Sequence, residues 1–322
     1  VEALRLIRKQ IQNRGFQKIL DSAMAQIENG QSLSSALSEH RAAFGELFIN
    51  IISLGEMTGT LSENLNFLAI ELRKSKQLKS KVKGAMVYPI ILLIATIGIV
   101  GVLVFMIIPK ILPIFSSMKV ELPMTTKILI AVSDFLKLHF FWLVGGLVIF
   151  IIGLIFISRI PAVRYFNQRI LLRIPLVGTV YLNYQMANIT RIMSLLLRSG
   201  FRIVETLSTA GAVITSLPHR YALESLADGI KQGKSLHLLF EAEKRLFPET
   251  VKRMVEVGER TGNLDGNLQY LSEFYEDEVD YALKTLSTTI EPVLLVLMGG
   301  VVAFVAISII SPIYQITQSL SR

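Results

Sequence analysis

The sequence predicts an all-α integral membrane protein. Two homologous cytoplasmic helical-bundle domains, the first truncated, are expected together with three transmembrane helices. Three observations carry that expectation. The composition is 52% apolar and only 18% charged, three long apolar runs contain no charge, and an internal repeat places a soluble segment ahead of two of those runs. Soluble domains carry about 25% charged residues, so composition alone leans towards the membrane.

The runs Val87 to Ile108, Phe140 to Ile157 and Pro292 to Ile310 contain no Lys, Arg, Asp or Glu. A bilayer core of about 30 Å needs about 20 helical residues, close to the length of each run. Pro89 and Pro109 bracket the first run, Pro292 and Pro312 the third, and they read as transmembrane boundaries. Proline is tolerated in a first helical turn and tends to stop a helix at its far end.

The repeat is visible in 51-IISLGEMTGTLSENLNFL-68 and 254-MVEVGERTGNLDGNLQYL-271. Under the shift that pairs Gly55 with Gly258, roughly a third of the positions from Leu20 to Leu68 match without a gap, several times the chance level. Gly30, Ser32, Leu33 and Phe44 match Gly233, Ser235, Leu236 and Phe247, and the two boundary prolines of each copy also match. Copy two begins earlier, around 185-QMANITRIMSLLLRSGF-201, so copy one lacks its first helix and the natural chain is expected to extend upstream of Val1.

The middle run has no counterpart in the repeat and supplies a return crossing. Basic residues support this arrangement, since 73-RKSKQLKSKVK-83 precedes the first run and Arg159, Arg164, Arg169 and Arg173 follow the second. Lys and Arg mark the cytoplasmic side. The expected organisation is a first cytoplasmic domain over 1–86, helices over 87–108, 140–158 and 290–312, an external hairpin over 109–139, a second cytoplasmic domain over 159–289, and an external tail over 313–322.

The soluble parts read as helices. In 20-LDSAMAQIENGQSLSSAL-37 apolar residues recur at three- and four-residue steps, Gly30 closes the pattern, and Ser32 can cap the next helix. The acidic run 276-EDEVD-280 reads as a solvated helix face. Small residues in the apolar runs, among them Gly98, Gly101, Gly145, Gly146, Gly299 and Ala303, suit close helix packing.

Several chemistries find no support. There is no Cys, and the four His are scattered without ligand-like spacing, so no metal and no cofactor is expected. The first 86 residues are charged and amphipathic and read as no signal peptide. The net charge of +8 sits beside the apolar runs and suggests no directly bound nucleic acid. The stretch 229-GIKQGKSLHLLF-240 imitates a phosphate-binding loop, but position 228 is Asp and copy one reads 30-GQSL-33 without the Lys. A phosphate loop needs four residues between its first Gly and its second, after a buried strand, and Gly229 leaves only three before Gly233. What the copies share is Gly-x-Ser-Leu, a helix end, turn and restart.

The most informative motif is the duplicated G-E-x-T-G-x-L: Gly55, Glu56, Thr58, Gly59 and Leu61, then Gly258, Glu259, Thr261, Gly262 and Leu264. It reads as a tight turn between antiparallel helices, with Gly59 and Gly262 in the left-handed position. Glu56 and Glu259 are less easily explained, because a carboxylate in the last turn of a helix opposes the macrodipole. Each either pairs with a nearby cation or N-terminal amides, or contacts a partner.

With the duplicated motif, the Gly-x-Ser-Leu turn and three apolar runs in place, the chain resembles the type II secretion F-domain family. These are the inner-membrane platform proteins of type IV pili and type II secretion systems (the PilC/GspF family). The resemblance implies six-helix soluble bundles and a multi-pass protein of the bacterial inner membrane. It implies docking of a hexameric cytoplasmic assembly ATPase, engagement of pilin or pseudopilin subunits and of other inner-membrane assembly proteins, contact with membrane lipid, and homo-oligomerisation. Such platforms are not enzymes, so the energy would come from a partner. A membrane transporter or permease subunit is the alternative, disfavoured because the apolar runs carry no ionisable group.

Overall fold

The computed structural model describes residues 1–110, 123–158, 160–243 and 246–320, which form helices joined by turns, with no strand among the described residues. They fall into two units, Val1–Ser80 with Arg164–Tyr281 and Lys81–Val163 with Ala282–Arg322.

The first unit opens with α1 (Glu2–Gln10) and α2 (Arg14–Glu28). Asn13 starts α2 by accepting the backbone N–H groups of Gly15 and Phe16 at 2.9 and 3.1 Å. At the end of α2, Gly30 turns the chain at φ 87°, a conformation in which a side chain is strained. Ser32 then caps α3 (Leu33–Ser38) by accepting the Ser35 N–H at 3.2 Å. After α4 (Arg41–Phe44) and α5 (Glu46–Thr58), Gly59 turns the chain into α6 (Leu61–Ala85). Leu20, Ala23, Ala36, Leu37, Ile51, Ile52 and Leu68 form the buried side of these helices.

A single turn at Met86 separates α6 from α7 (Val87–Val102), which continues through a widened π turn over Leu103–Ile107. Pro109 remains helical rather than ending the segment. A proline ring crowds the carbonyl four residues back, and the π turn just before it opens that space. Between the first two apolar runs lies α8 (Met124–Leu138), where the sequence suggested a plain external hairpin. Residues 111–122 of that hairpin lie outside the described residues. Next comes α9 (Phe140–Ile157), 18 residues without a charge.

Helices α10 (Pro161–Leu171), α11 (Val177–Arg198), α12 (Ile203–Val213), α13 (Leu217–Lys231), α14 (Leu236–Ala242) and α15 (Glu249–Thr261) complete the folded part of copy two. Their core includes Met186, Met193, Leu196, Leu223, Phe240, Phe247 and Val255, with Phe240 and Phe247 packed edge to face at 4.7 Å. His219 is fully buried there. Its Nε2 donates to the Leu246 carbonyl at 3.2 Å, which leaves Nδ1 to accept the Ser216 hydroxyl at 2.7 Å.

The last helix, α16, runs unbroken from Leu264 to Leu320, 57 residues. It passes through both Pro292 and Pro312, so neither marks a helix end, and residues 313–320 of the expected tail are helical. A proline removes one N–H, which weakens one turn of a long apolar helix without ending it. Among the described residues two stretches, Leu61–Lys110 and Leu264–Ser311, are long and apolar enough to cross a membrane, and only 11% of each apolar window is buried.

In the second unit Val104, Ile108, Leu129 and Val305 form a buried cluster, so α8 packs along both long apolar helices. Thr126 donates its hydroxyl to the Ser308 carbonyl at 2.6 Å, and Ser133 donates to the Val104 carbonyl at 3.2 Å. Those bonds hold a helix that carries Lys127, Asp134 and Lys137 against apolar neighbours.

The acidic run 276–280 is not simply a solvated face. Glu276 turns inward onto Arg191 of α11, a guanidinium only 3% exposed. Arg191 also faces Glu71 of α6 at 3.3 Å and donates to Asn188 at 3.2 Å. A buried guanidinium is costly unless it is paired, and here carboxylates from two helices balance its charge, although its Nε and the Glu71 Oε2 it faces make no hydrogen bond. Burial pushes the Glu71 carboxyl up, and the nearby Arg191 and Lys74 offset part of that rise. Lys74 with Glu273 at 3.2 Å, and Arg198 at 5.0 Å from the centre of the Phe67 ring, add further contacts from α6 to the second copy.

Candidate functional site

The duplicated motif forms the same structure twice. Gly55 and Gly258 lie where two helices cross, and a Cβ added at either would sit 2.9 Å from a backbone Cα, that of Leu61 or Leu264. Only glycine lets the helices approach so closely. Four residues on, Gly59 (φ 76°) and Gly262 (φ 72°) take the left-handed conformation that ends α5 and α15. Thr58 and Thr261 turn their hydroxyls back onto the carbonyls of Leu54 and Val257, each at 2.8 Å. Asn64 and Asn267 then clamp the following helix by donating to the carbonyls of Ile51 and Met254 at 3.3 and 3.0 Å.

The two glutamates use both of their oxygens. Glu56 accepts the N–H of Leu33 at 2.6 Å and of Ser34 at 2.9 Å. Glu259 accepts the N–H of Leu236 at 2.8 Å and of His237 at 3.0 Å, and meets His237 Nδ1 at 2.6 Å. Each carboxylate therefore sits at the unfavourable end of its own helix but at the positive end of another, α3 or α14. The first free amides of a helix need acceptors, and a charged acceptor also satisfies the dipole. Burial alone would raise the Glu259 carboxyl, but the His237 side chain and the two amides outweigh it, so its pKa lies below the ordinary value.

The motif thus ties three places together: the Gly-x-Ser-Leu turn, the end of α5 or α15, and the start of α6 or α16. The 229-GIKQGKS-235 stretch is part of this arrangement, the end of α13 followed by a turn at Gly233 (φ 79°). The tip of the motif turn is open to solvent in both copies, with Met57 82% exposed and Gly59 and Gly262 also exposed. Leu61 and Leu264 begin the helices that lead to the apolar stretches.

Sequence reasoning did not single out His237, nor the Arg191 cluster. A signal for the latter exists, because those residues fall where the repeat breaks. The counterpart of Glu71 is Phe274, that of Lys74 is Asp277, and that of Glu276 is Arg73. Pro89 is buried and Pro292 exposed, and the Pro312 side chain lies outside what the structure describes.

A family profile described as type II secretion system protein F matches residues 1–109 and 189–312, which bracket the two copies of the motif. The chain belongs to that family. Within it, the chain is 33% identical over 320 residues to a type IV pilus assembly protein PilC of Myxococcus xanthus, covering 99% of this chain and 76% of that protein. It is 33% identical over 325 residues to the PilC of Thermus thermophilus, covering all of this chain and 79% of that one. Against a type II secretion system protein F of Pseudomonas aeruginosa it is 32% identical over 321 residues, covering 98% and 78%. Type II secretion family members therefore include both pilus-assembly and secretion components, and this chain is a component of assembly machinery of that kind.

Proposed function

We propose that the protein is a multi-pass inner-membrane platform of a type IV pilus or type II secretion machine. It couples a hexameric cytoplasmic assembly ATPase to insertion of pilin or pseudopilin subunits into a filament, and takes no part in catalysis itself. In this reading three helices cross the membrane, within residues 87–108, 140–158 and 290–312, and homologous bundles over 1–86 and 159–289 face the cytoplasm. The chain acts as a homo-oligomer beside other inner-membrane assembly proteins and is bedded in membrane lipid.

The observation that carries the proposal is α16, which starts at an exposed motif turn and runs without a break into an apolar stretch. A push on the turn at Gly262 reaches that stretch along one helix. The hydrogen bonds repeated at Glu56 and Glu259 support homologous bundles. Because the carboxylate oxygens are taken up by amides, Glu56 and Glu259 serve a partner by holding the exposed turn in shape.

The test is a deletion of the gene in the source cell, with surface filaments and secreted proteins counted, and the full chain purified from membranes to identify what accompanies it. Loss of filaments or secretion together with a co-purifying hexameric ATPase is expected. A deletion strain that assembles filaments and secretes normally would overturn the proposal.

A further inference from the structure

The first helix after the uncharged α9 carries an unused recognition surface. On α10, Tyr165, Arg169 and Leu172 recur at four- and three-residue steps and therefore share one face. That face lines a cavity of about 620 Å³, together with Arg173, Pro218 and Glu243. Its volume is within the roughly 300–1,000 Å³ that holds small-molecule ligands. Arg169, Arg173 and Glu243 have no ion-pair partner among the described residues, whereas neighbouring Arg164 donates to the Thr215 carbonyl at 2.7 Å.

One residue further along, Phe166 and Ile170 turn by about 100° onto the adjoining face. They are 62% and 43% exposed, and Ile174 beyond the helix is 43% exposed. Unpaired guanidiniums beside exposed apolar side chains, just past a long uncharged helix, are the features of a segment lying at a lipid interface.

The charges define the occupant more closely. Two guanidiniums match a phosphodiester, which Arg binds through paired N–H donors. Glu243 would repel a purely anionic headgroup but matches a primary ammonium. We infer that this cavity binds the headgroup of an aminophospholipid of the phosphatidylethanolamine class, phosphate towards Arg169 and Arg173 and ammonium towards Glu243, with the acyl chains along Phe166 and Ile170. The inference rests only on α9 entering the membrane, and its failure leaves the assembly role untouched.

The full chain in detergent micelles can be titrated with dioleoyl phosphatidylethanolamine, phosphatidylglycerol and phosphatidylcholine, and the bound lipid read by native mass spectrometry. The ethanolamine lipid should be bound in preference to the other two. Arg169→Gln with Arg173→Gln should weaken it by roughly a hundredfold, the scale of two lost charge-assisted contacts at about tenfold each. Glu243→Gln keeps the arginines and should erase the preference for ethanolamine over both choline and glycerol headgroups while phospholipid binding itself persists, which separates recognition from misfolding of the double variant. Equal binding of all three lipids, unchanged binding by both variants, or phosphatidylglycerol binding as well as phosphatidylethanolamine would overturn the inference. So would displacement of the lipid by excess inorganic phosphate, which would mark a site for a free anion.

Discussion

Replacing Glu56 by Gln keeps the size of the side chain but removes its charge and turns one acceptor oxygen into a donor. In the structure the two oxygens accept the amides of Leu33 and Ser34 at 2.6 and 2.9 Å. The substitution leaves one of those amides facing an NH2 group. Loss of a helix cap costs about 0.5–2 kcal/mol, and a hydrogen bond to a charged group contributes about 1.5–3 kcal/mol. Glu56 is half-buried, so the expected loss is about 1–2 kcal/mol, concentrated at α3. Hydrogen exchange of the full chain in detergent reads this directly, since about 1.4 kcal/mol of local stability is a tenfold change in opening. Peptides covering Leu33–Ser38 should exchange roughly five- to thirtyfold faster in Glu56→Gln, while those over the apolar helices stay unchanged. Glu259→Gln should act more strongly at α14, because it also loses His237. Unchanged exchange at these amides in both variants would refute the capping role of the glutamates.

Gly258→Ala should cost about 1–3 kcal/mol through overpacking. Its Cβ would lie 2.9 Å from the Leu264 Cα, whereas Gly262→Ala meets only conformational strain in open space, so thermal midpoints should fall further for the first. Arg191→Met leaves Glu71 and Glu276 facing each other without their cation. A loss of about 3–5 kcal/mol is expected, and a thermal midpoint within error of the parent would contradict it. His219 is held neutral, since burial brings its pKa from 6.5 down to about 4. The unfolded chain takes up a proton below about pH 6.5 and the folded one does not until about pH 4, so stability is full above that window and falls through it. The shift corresponds to about 3 kcal/mol, and His219→Gln should show a flatter melting profile across the same range.

What was legible in the sequence is what local chemistry determines. Gly30, Gly59, Gly233 and Gly262 all stand at positive φ because a turn at a helix end demands it, and Ser32 caps α3 from one residue before its start. The destination of Glu56 was not legible, because the amides it accepts lie 23 and 22 residues upstream. Helix periodicity says which face a residue occupies, not what that face meets. The acidic run at Glu276 misled for the same reason, since its partner Arg191 is 85 residues away. Lys127, Asp134 and Lys137 gave α8 the composition of a surface hairpin, while Thr126, Leu129 and Ser133, on its other side, pack it against apolar helices.

The two copies share their latch but not their surroundings, and the difference bears on how the repeat works. At the motif both must satisfy the same local requirements, so Gly, Glu, Thr, Gly and Leu recur. Beyond it, each copy meets different neighbours. Arg191 needs a carboxylate at position 71, and copy two has Phe274 there, while the counterpart of the second carboxylate, Glu276, is Arg73. A chain with copy two's segment in place of copy one's would therefore leave Arg191 short of a carboxylate and add a stray charge beside it. The helices leaving the motif differ too: α6 is interrupted at Met86, whereas α16 is continuous. These two copies are not symmetric where they meet, because the contact at Arg191 uses carboxylates at positions whose counterparts in the other copy are Phe274 and Arg73. The repeat is two matched turns carried by two helices that are not interchangeable.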